Sequence, residues 1–373
     1  MASGDLPQLS LFDERPAAPP VPPQCGFSVN IAGQTFETTP VFDTYWRFAA
    51  RRHQIYMARL AGAPGPWTND PVLRGHRFTN CYRAADRVSQ FLIGDVAYSG
   101  SQDHTEVMFR VLLFKLFNKI ETWQLIVDEY GLPSLKGFDP LAYAPVLDDA
   151  FAAGRRLYSA AYVMPAPAFG QTRKHRNHLR LLEHMFTDGV VDKLSAADSM
   201  LEAFEIIKSY PSMGDFLAFQ FLIDINYSTA LNFDEMEFVV AGPGARDGIR
   251  KCFGPNSSGY EREIIEYMAA SQHEHFARLG LSFGGLFGRP LQLIDCQNLF
   301  CEVDKYARVV HPEVAGISGR TKIKQKFCAV HEHVPAWFPP KWGLNPDDWN
   351  SGGLPEDVDG HPWVVKESAH GRR

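Results

Sequence analysis

The sequence predicts a mostly α fold, with one large helical domain over about residues 41–330. Two observations carry that expectation. Apolar residues recur at helical spacing through most of the chain, and strictly alternating, strand-like segments are scarce. Hydrophobic residues make up 45% and aromatics 13% of the 373 residues, enough to bury a sizeable core.

The elements follow in order. Residues 1–40 read as a disordered Pro-rich leader with a short extended piece, because Pro16, Pro19, Pro20, Pro22 and Pro23 forbid helix there. From Thr44 onward, Tyr45, Phe48, Ile55 and Leu60 mark a first helix, which ends at Gly62-Ala63-Pro64-Gly65-Pro66. Further helices are expected at 80–93, at 106–117 with a wholly apolar face, at 123–130 and at 140–155. Residues 158–170 read as loop. The helical series resumes at 175–186, 195–208, 213–229, 248–253, 260–279 and 292–308. A small sheet remains compatible with ordinary base rates. Residues 331–373 are rich in Trp, Pro and Asp and read as an irregular tail.

Composition excludes several classes. No stretch approaches the roughly 18 apolar residues of a membrane span. Met1 to Pro23 lacks the basic-then-apolar form of a signal peptide, so a cytoplasmic protein is expected. The six cysteines (25, 81, 252, 296, 301 and 328) form no CxxC pair and read as reduced thiols. His273-Glu274-His275 and His331-Glu332-His333 point their histidines apart on a helix, and neither is HExxH, so no metal is expected. There is no GxxxxGK[ST] phosphate loop, and no cofactor is implied. The net charge is −6, yet basic residues cluster at 51–53, 173–176, 246–251 and 320–326. Local patches of this kind can hold phosphates on an acidic protein, although solvated helix faces are the commoner outcome.

Four motifs carry possible chemistry. Gly242-Pro243-Gly244-Ala245 precedes a helix start. Its glycines permit positive φ and close approach, and the following N–H groups suit a DNA phosphate, helped by Arg246, Arg250 and Lys251. The plain alternative is a turn between packed helices. Asp295 begins another helix, where aspartate is a common cap. The functional reading is a carboxylate that stabilises an oxocarbenium-like sugar and directs water. Glu302, seven residues on, shares its face, and Lys305 is placed to pair with Glu302.

Asn80, Arg83, Asp86 and Arg87, interleaved with Trp67, Phe78 and Tyr82, suit a pocket for a polar planar ring such as a flipped base. A capped helix with surface ion pairs fits the same residues. Gln220 and Asp224 interrupt a nearly all-apolar helix four residues apart, with Tyr227 one step on. Such residues are either a satisfied buried network or readers of a base edge.

Taken in order, Tyr45-Trp46-Arg47-Phe48 with Arg52, Pro66 to Leu73, Phe78 to Arg87, Gln220/Asp224/Tyr227, Gly242-Pro243-Gly244-Ala245, and Asp295 to Lys305 resemble one family. It is the helical domain of thymine-hypermodification systems, named after 5-hydroxymethyluracil DNA kinase and α-glutamyl/putrescinyl thymine pyrophosphorylase. The resemblance covers about residues 42–328. It implies a divergent helix-hairpin-helix DNA glycosylase-like fold, without the Cys cluster that binds iron–sulfur in some glycosylases. Phage members of the family act on activated hydroxymethyluracil in DNA. Bacterial members include an antiphage glycosylase that removes α-glucosylated hydroxymethylcytosine.

Carried over, Asp295 matches the aspartate after the hairpin, and Gly242 and Gly244 match the hairpin glycines. Lys251 is no clear Schiff-base lysine, so a monofunctional, water-using enzyme fits better. The lack of a kinase or transferase module favours an activity complete in one step. The resulting expectation is a glycosylase that flips a hypermodified pyrimidine out of double-stranded phage DNA in antiphage defence. Asp295 (or Glu302) would be catalytic, and Trp46, Trp67, Asn80, Arg83, Asp86, Gln220, Asp224 and Tyr227 would line the pocket. A pyrophosphate-displacing transferase and a non-enzymatic reader of modified DNA are the alternatives.

Overall fold

The computed structural model describes residues 26–162, 164–328 and 336–345. Most of the proline leader and most of the tail lie outside the described residues. The chain enters through a two-stranded antiparallel hairpin, β1 (Ser28–Ile31) and β2 (Gln34–Glu37), with Ser28 opposite Glu37 and Ile31 opposite Gln34. Its turn residues Ala32 and Gly33 both take positive φ, the geometry that matches the twist of paired strands. Phe36 faces inward and is buried.

Helices supply nearly everything else. Helix α1 (Pro40–Leu60) begins with Pro at its first turn and Thr39 as its cap, the Thr39 hydroxyl accepting from Val41 N–H at 3.1 Å. Helix α2 (Pro71–Gly75) is capped by Asp70, whose carboxylate accepts from Val72 and Leu73. A short α3 (Arg87–Phe91) runs into a π-helical turn at Leu92–Ala97. Helix α4 (His104–Phe117) has Asp103 as its cap and Asn118 in the left-handed conformation at its end. Then come α5 (Ile120–Tyr130), α6 (Pro140–Ala152), α7 (Lys174–Thr187), α8 (Val190–Ala196), α9 (Met200–Lys208) and α10 (Asp215–Asn226). The chain continues through α11 (Pro243–Phe253), α12 (Glu261–Ala270), α13 (Gln272–Arg278) and α14 (Leu293–Val310).

Helices α11 and α14 make the tightest packing, and glycine is the reason. A Cβ on Gly248 would stand 2.1 Å from the Phe300 carbonyl oxygen, and one on Gly244 3.1 Å from Cys301 Sγ. Only a bare backbone lets the two helices come this close. Helix α1 is tied to the same pair: Thr39 N–H donates to the Cys252 carbonyl at 2.9 Å, and Tyr45 O–H to the Cys296 carbonyl at 3.2 Å. Helices α4 and α10 form the other half of the core, from Val107 to Leu113 and from Leu217 to Ile225.

Three sequence expectations are corrected. Residues 80–93 are not one helix. Asp86 accepts from Asn80 N–H at 2.8 Å, and the Asn80 amide donates to the Ala85 carbonyl at 2.6 Å. These side-chain bonds close a loop that ends in a single 3-10 turn at Arg83–Ala85, before α3 starts. Residues 260–279 break into α12 and α13 at Ser271. Helix α11 starts at Pro243, five residues earlier than expected, with Gly242 at φ −72° as its cap. Neither Gly242 nor Gly244 takes a positive φ, so the pair serves close packing rather than a sharp turn.

Candidate functional site

Arg83 is the hub of a buried polar network that joins four elements. Its backbone N–H donates to Asp295 Oδ1 at 2.8 Å, and its Nε donates to Gln220 Oε1 at 2.9 Å. Its Nη1 lies 2.6 Å from Asp224 Oδ1, while Lys115 Nζ lies 2.5 Å from Asp224 Oδ2. All four partners are buried. The Tyr162 ring covers the cations, 5.9 Å from the Arg83 guanidinium and 4.4 Å from Lys115 Nζ. Tyr162 in turn stacks on Phe216, whose ring fills the space beside Gly242. Burial pushes the Asp224 carboxyl up, but the adjacent Arg83 and Lys115 outweigh it and hold it below the usual range. Burial pulls the Lys115 ammonium down to about 8.

Asp295 sits at the third position of α14. Its Oδ2 accepts from Gln292 N–H at 3.1 Å as half of a capping box. Its other oxygen holds Arg83. The carboxylate thus anchors the 78–86 loop to the helix start. Burial raises its pKa to about 6, against the opposing pull of those two N–H groups, Arg289 and Arg83. Glu235 lies close by, pushed up by burial to about 7 and paired with Arg289 at 2.8 Å.

The loop carries a second polar cluster. Arg52 donates to the Thr79 carbonyl at 2.9 Å and to Asn80 Oδ1 at 2.5 Å. Glu302 accepts from Thr79 N–H at 3.0 Å and pairs with Lys305 at 2.6 Å, so the i,i+3 ion pair read from the sequence is present. Asn298 donates to the Asn80 carbonyl at 3.0 Å. Burial carries the Asp86 carboxyl up to about 7. Among the described residues, Arg52 Nη1, His53 Nδ1 and Tyr56 O–H are buried atoms on one stretch of α1 with no hydrogen-bond partner. Unmet polar groups of this kind are costly unless something supplies their bonds.

The structure therefore brings Asn80, Arg83, Asp86, Gln220, Asp224, Asp295 and Glu302 together through shared bonds and the same loop. Tyr227 joins from α10's end, 5.6 Å below the Arg83 guanidinium, its hydroxyl without a partner among the described residues. Trp46 does not join. It is fully buried against His275, ring centroids 5.2 Å apart, and is core. Trp67 stays at the surface, donating to the Ala63 carbonyl at 2.7 Å under Arg59. Lys251 is also corrected. It is buried, 2.9 Å from Asp304 Oδ1 and bonded to the Asp304 carbonyl at 3.1 Å, so it has no free charge for a phosphate. Arg246 is exposed and Arg250 partly so, and neither makes an ion pair among the described residues.

Sequence reasoning missed Lys115, Glu235, Arg289 and the 336–345 segment. Lys115 had a signal: a lysine inside the otherwise apolar end of α4 needs a buried partner. Residues 336–345 pack over the network. Trp342 lies 4.1 Å from the Arg289 guanidinium and edge-on to Tyr227. Lys341 Nζ donates to the carbonyls of Asn226, Ser228 and Leu231. With this cover in place the hub residues are closed off. A surface concavity of about 470 Å³ lies elsewhere, lined by Phe169, Arg180, Glu183, His184 and Thr187.

A helical domain with a desolvated carboxylate locked to an arginine–glutamine–aspartate network is the class defined so far. The chain belongs to the family described as 5-hmdU DNA kinase, helical domain, whose model matches residues 39–316. It is 24% identical over 289 residues to the 5-hmdU DNA kinase of Bacillus phage SP10, covering 71% of this chain and 45% of that protein. The chain thus spans less than half the length of that relative. No solved structure matches it. Among the described residues, no helix is long and apolar enough to cross a membrane.

Proposed function

We propose that the chain acts on a modified pyrimidine in DNA as a glycosylase of helix-hairpin-helix type, removing the base and leaving an abasic site. The observation that carries this reading is Asp295. A carboxylate buried at a helix start, with its pKa raised to about 6, marks a site tuned for chemistry more than a plain surface cap. As an anion it would stabilise the positive charge that develops on deoxyribose as the N-glycosidic bond breaks. It would also orient the water whose oxygen bonds to C1′, the departing base taking a proton. Arg83, Gln220 and Asp224, tied to Asp295 through Arg83, are suited to hold the polar edge of a flipped base. Entry of the base requires the 336–345 cover or the 78–86 loop to shift. Cytoplasmic location and a role against phage DNA belong to the same proposal.

A second reading, in keeping with a family that carries a 5-hmdU DNA kinase, is a transferase step in which an amine forms a C–N bond at the methylene carbon of pyrophosphate-activated hydroxymethyluracil as pyrophosphate leaves, with the sugar–base bond intact. Incubation with unmodified, hydroxymethylated and glucosylated phage DNA, and in parallel with pyrophosphate-activated hydroxymethyluracil DNA plus an amine, followed by an abasic-site assay and nucleoside mass analysis, separates the two. Abasic sites on a modified DNA support the glycosylase. None on any of the three sinks it, and a mass change on an intact nucleoside would favour the transferase.

A further inference from the structure

We propose that duplex DNA docks on a basic strip formed by residues 320–326 together with the C-terminal end of α2, rather than on the start of α11. The inference rests on DNA being the substrate. The two segments are joined by backbone bonds: Arg77 N–H donates to the Gln325 carbonyl at 3.1 Å, and Phe327 N–H to the Gly75 carbonyl at 3.2 Å, with His76 and Lys326 paired as an antiparallel bridge. Ser318 N–H on Asp247 at 2.8 Å and Arg308 on the Lys322 carbonyl at 3.1 Å fix the rest of the segment to α11 and α14.

This arrangement places Arg74, Arg77, Arg320, Lys322, Lys324 and Lys326 on the surface, all exposed. None makes an ion pair among the described residues, and residues 71–83 and 314–328 contain no Asp or Glu. The flanking acids are Asp70, occupied by α2's first turn, Arg51 and Tyr306, and Glu313, whose carboxylate lies 3.5 Å from His311 Nδ1. In residues 320–326 the cations fall at every second position. Ile323, between them, packs against the core. The strip is therefore a ridge of one charge sign on a chain whose net charge is −6. Lysines and arginines that make no ion pair among the described residues, clustered on one exposed segment, match the phosphate backbone of a polyanion.

Its position favours DNA of the substrate itself. The α2 side of the strip runs straight on through Phe78 into Thr79 and Asn80, which bond Glu302, Arg52 and Asn298. A duplex held on the strip lies beside the loop that Asp295 anchors. The strip's 320–326 arm falls beyond the residues matched by the family, 39–316.

The test is fluorescence anisotropy with a labelled 20-base-pair duplex, unmodified and hydroxymethyluracil-containing, over a salt series. Replacing Arg320, Lys322, Lys324 and Lys326 by Ala is expected to weaken binding to both duplexes on the order of a hundredfold at 0.1 M salt. It should also make the salt slope less steep by about 3–4. Lys322→Ala with Lys324→Ala should weaken binding more than Arg155→Ala with Arg156→Ala, an equal change of charge at exposed arginines elsewhere. Equal losses in the two doubles, an unchanged slope in the quadruple variant, or tighter binding of single-stranded DNA or RNA than duplex would overturn the proposal. Binding through the strip without abasic-site formation would defeat only the glycosylase reading. Abasic-site formation with KM for DNA unmoved in the quadruple variant would defeat only the strip.

Discussion

Two buried triads in this protein have the same composition and different consequences. In one, Asp304 sits between Lys251 and Arg308. In the other, Asp224 sits between Lys115 and Arg83. Each places two cations on one buried carboxylate. The first is local: Asp304 and Arg308 are four apart on α14, and Lys251 comes from the adjoining α11. It staples two helices that glycine already brings close. The second gathers α4, α10 and the 78–86 loop, and through the Arg83 backbone it reaches the desolvated Asp295. The difference teaches that a buried ion pair is not itself a sign of function. What distinguishes the second is its connection, through the Arg83 backbone, to a carboxylate whose burial raises its pKa.

The largest way to break the comparison is at the two aspartates. Asp224→Ala and Asp304→Ala each leave two buried cations uncompensated, and each is expected to lower stability by about 3–5 kcal/mol in urea unfolding. Only the first should also abolish turnover under conditions where the protein remains folded. Loss of turnover in folded Asp304→Ala would erase the distinction drawn here.

Asp295→Asn keeps the shape of the capping group and removes the negative charge. Its single-turnover rate should drop by about 10²–10⁴-fold with DNA affinity retained, as expected for loss of a positioned catalytic carboxylate. A rate within twofold of the parent would move the chemistry to Glu302.

The same residue sharpens the contrast through pH. Asp295 titrates at about 6 in the folded protein against 3.8 for a free carboxyl. A raised folded pKa means that its contribution to stability is full below about 3.8 and is lost as pH rises through about 6. The stability lost over that window is on the order of 2–3 kcal/mol relative to Asp295→Asn. Turnover, which needs the anion, should rise over the same window. Parallel pH–stability curves for the two proteins would show that Asp295 is not desolvated.

Smaller effects test the α11–α14 staple. Gly248→Ala forces a methyl against the Phe300 carbonyl and should cost about 1–3 kcal/mol in thermal unfolding. Arg246→Ala, at an exposed unpaired side chain, should stay within about 0.5 kcal/mol of the parent in stability. It should flatten the salt dependence of DNA binding by at most about one unit of slope.

Much of the fold was legible because its signals are local. The apolar spacing of Tyr45, Phe48 and Ile55 marks α1, and the step from Glu302 to Lys305 marks an ion pair within one helix. Gln220 and Asp224 announced a buried network by interrupting an apolar helix, but nothing local named Lys115 and Arg83 as their partners. The glycines of 242–248 were visible, while their purpose was misread, because a glycine that permits a turn and one that permits close helix packing look the same in sequence. Lys251 was misassigned for a related reason: its exposure depends on where Asp304 lies, 53 residues away.

The sequence by itself determined most of the helices, the cap position of Asp295, and the presence of polar residues that a core must satisfy. Backbone hydrogen bonding and side-chain periodicity act over three or four residues, so a linear pattern records them. Only the tertiary structure decided which carboxylate meets which cation. It also decided that Trp46 is core, that residues 336–345 close over Arg289 and Tyr227, and that the 320–326 cations line up beside α2. Arg83 meets Gln220 across 137 residues and Asp295 across 212, and contacts at that range are set by packing of the whole core.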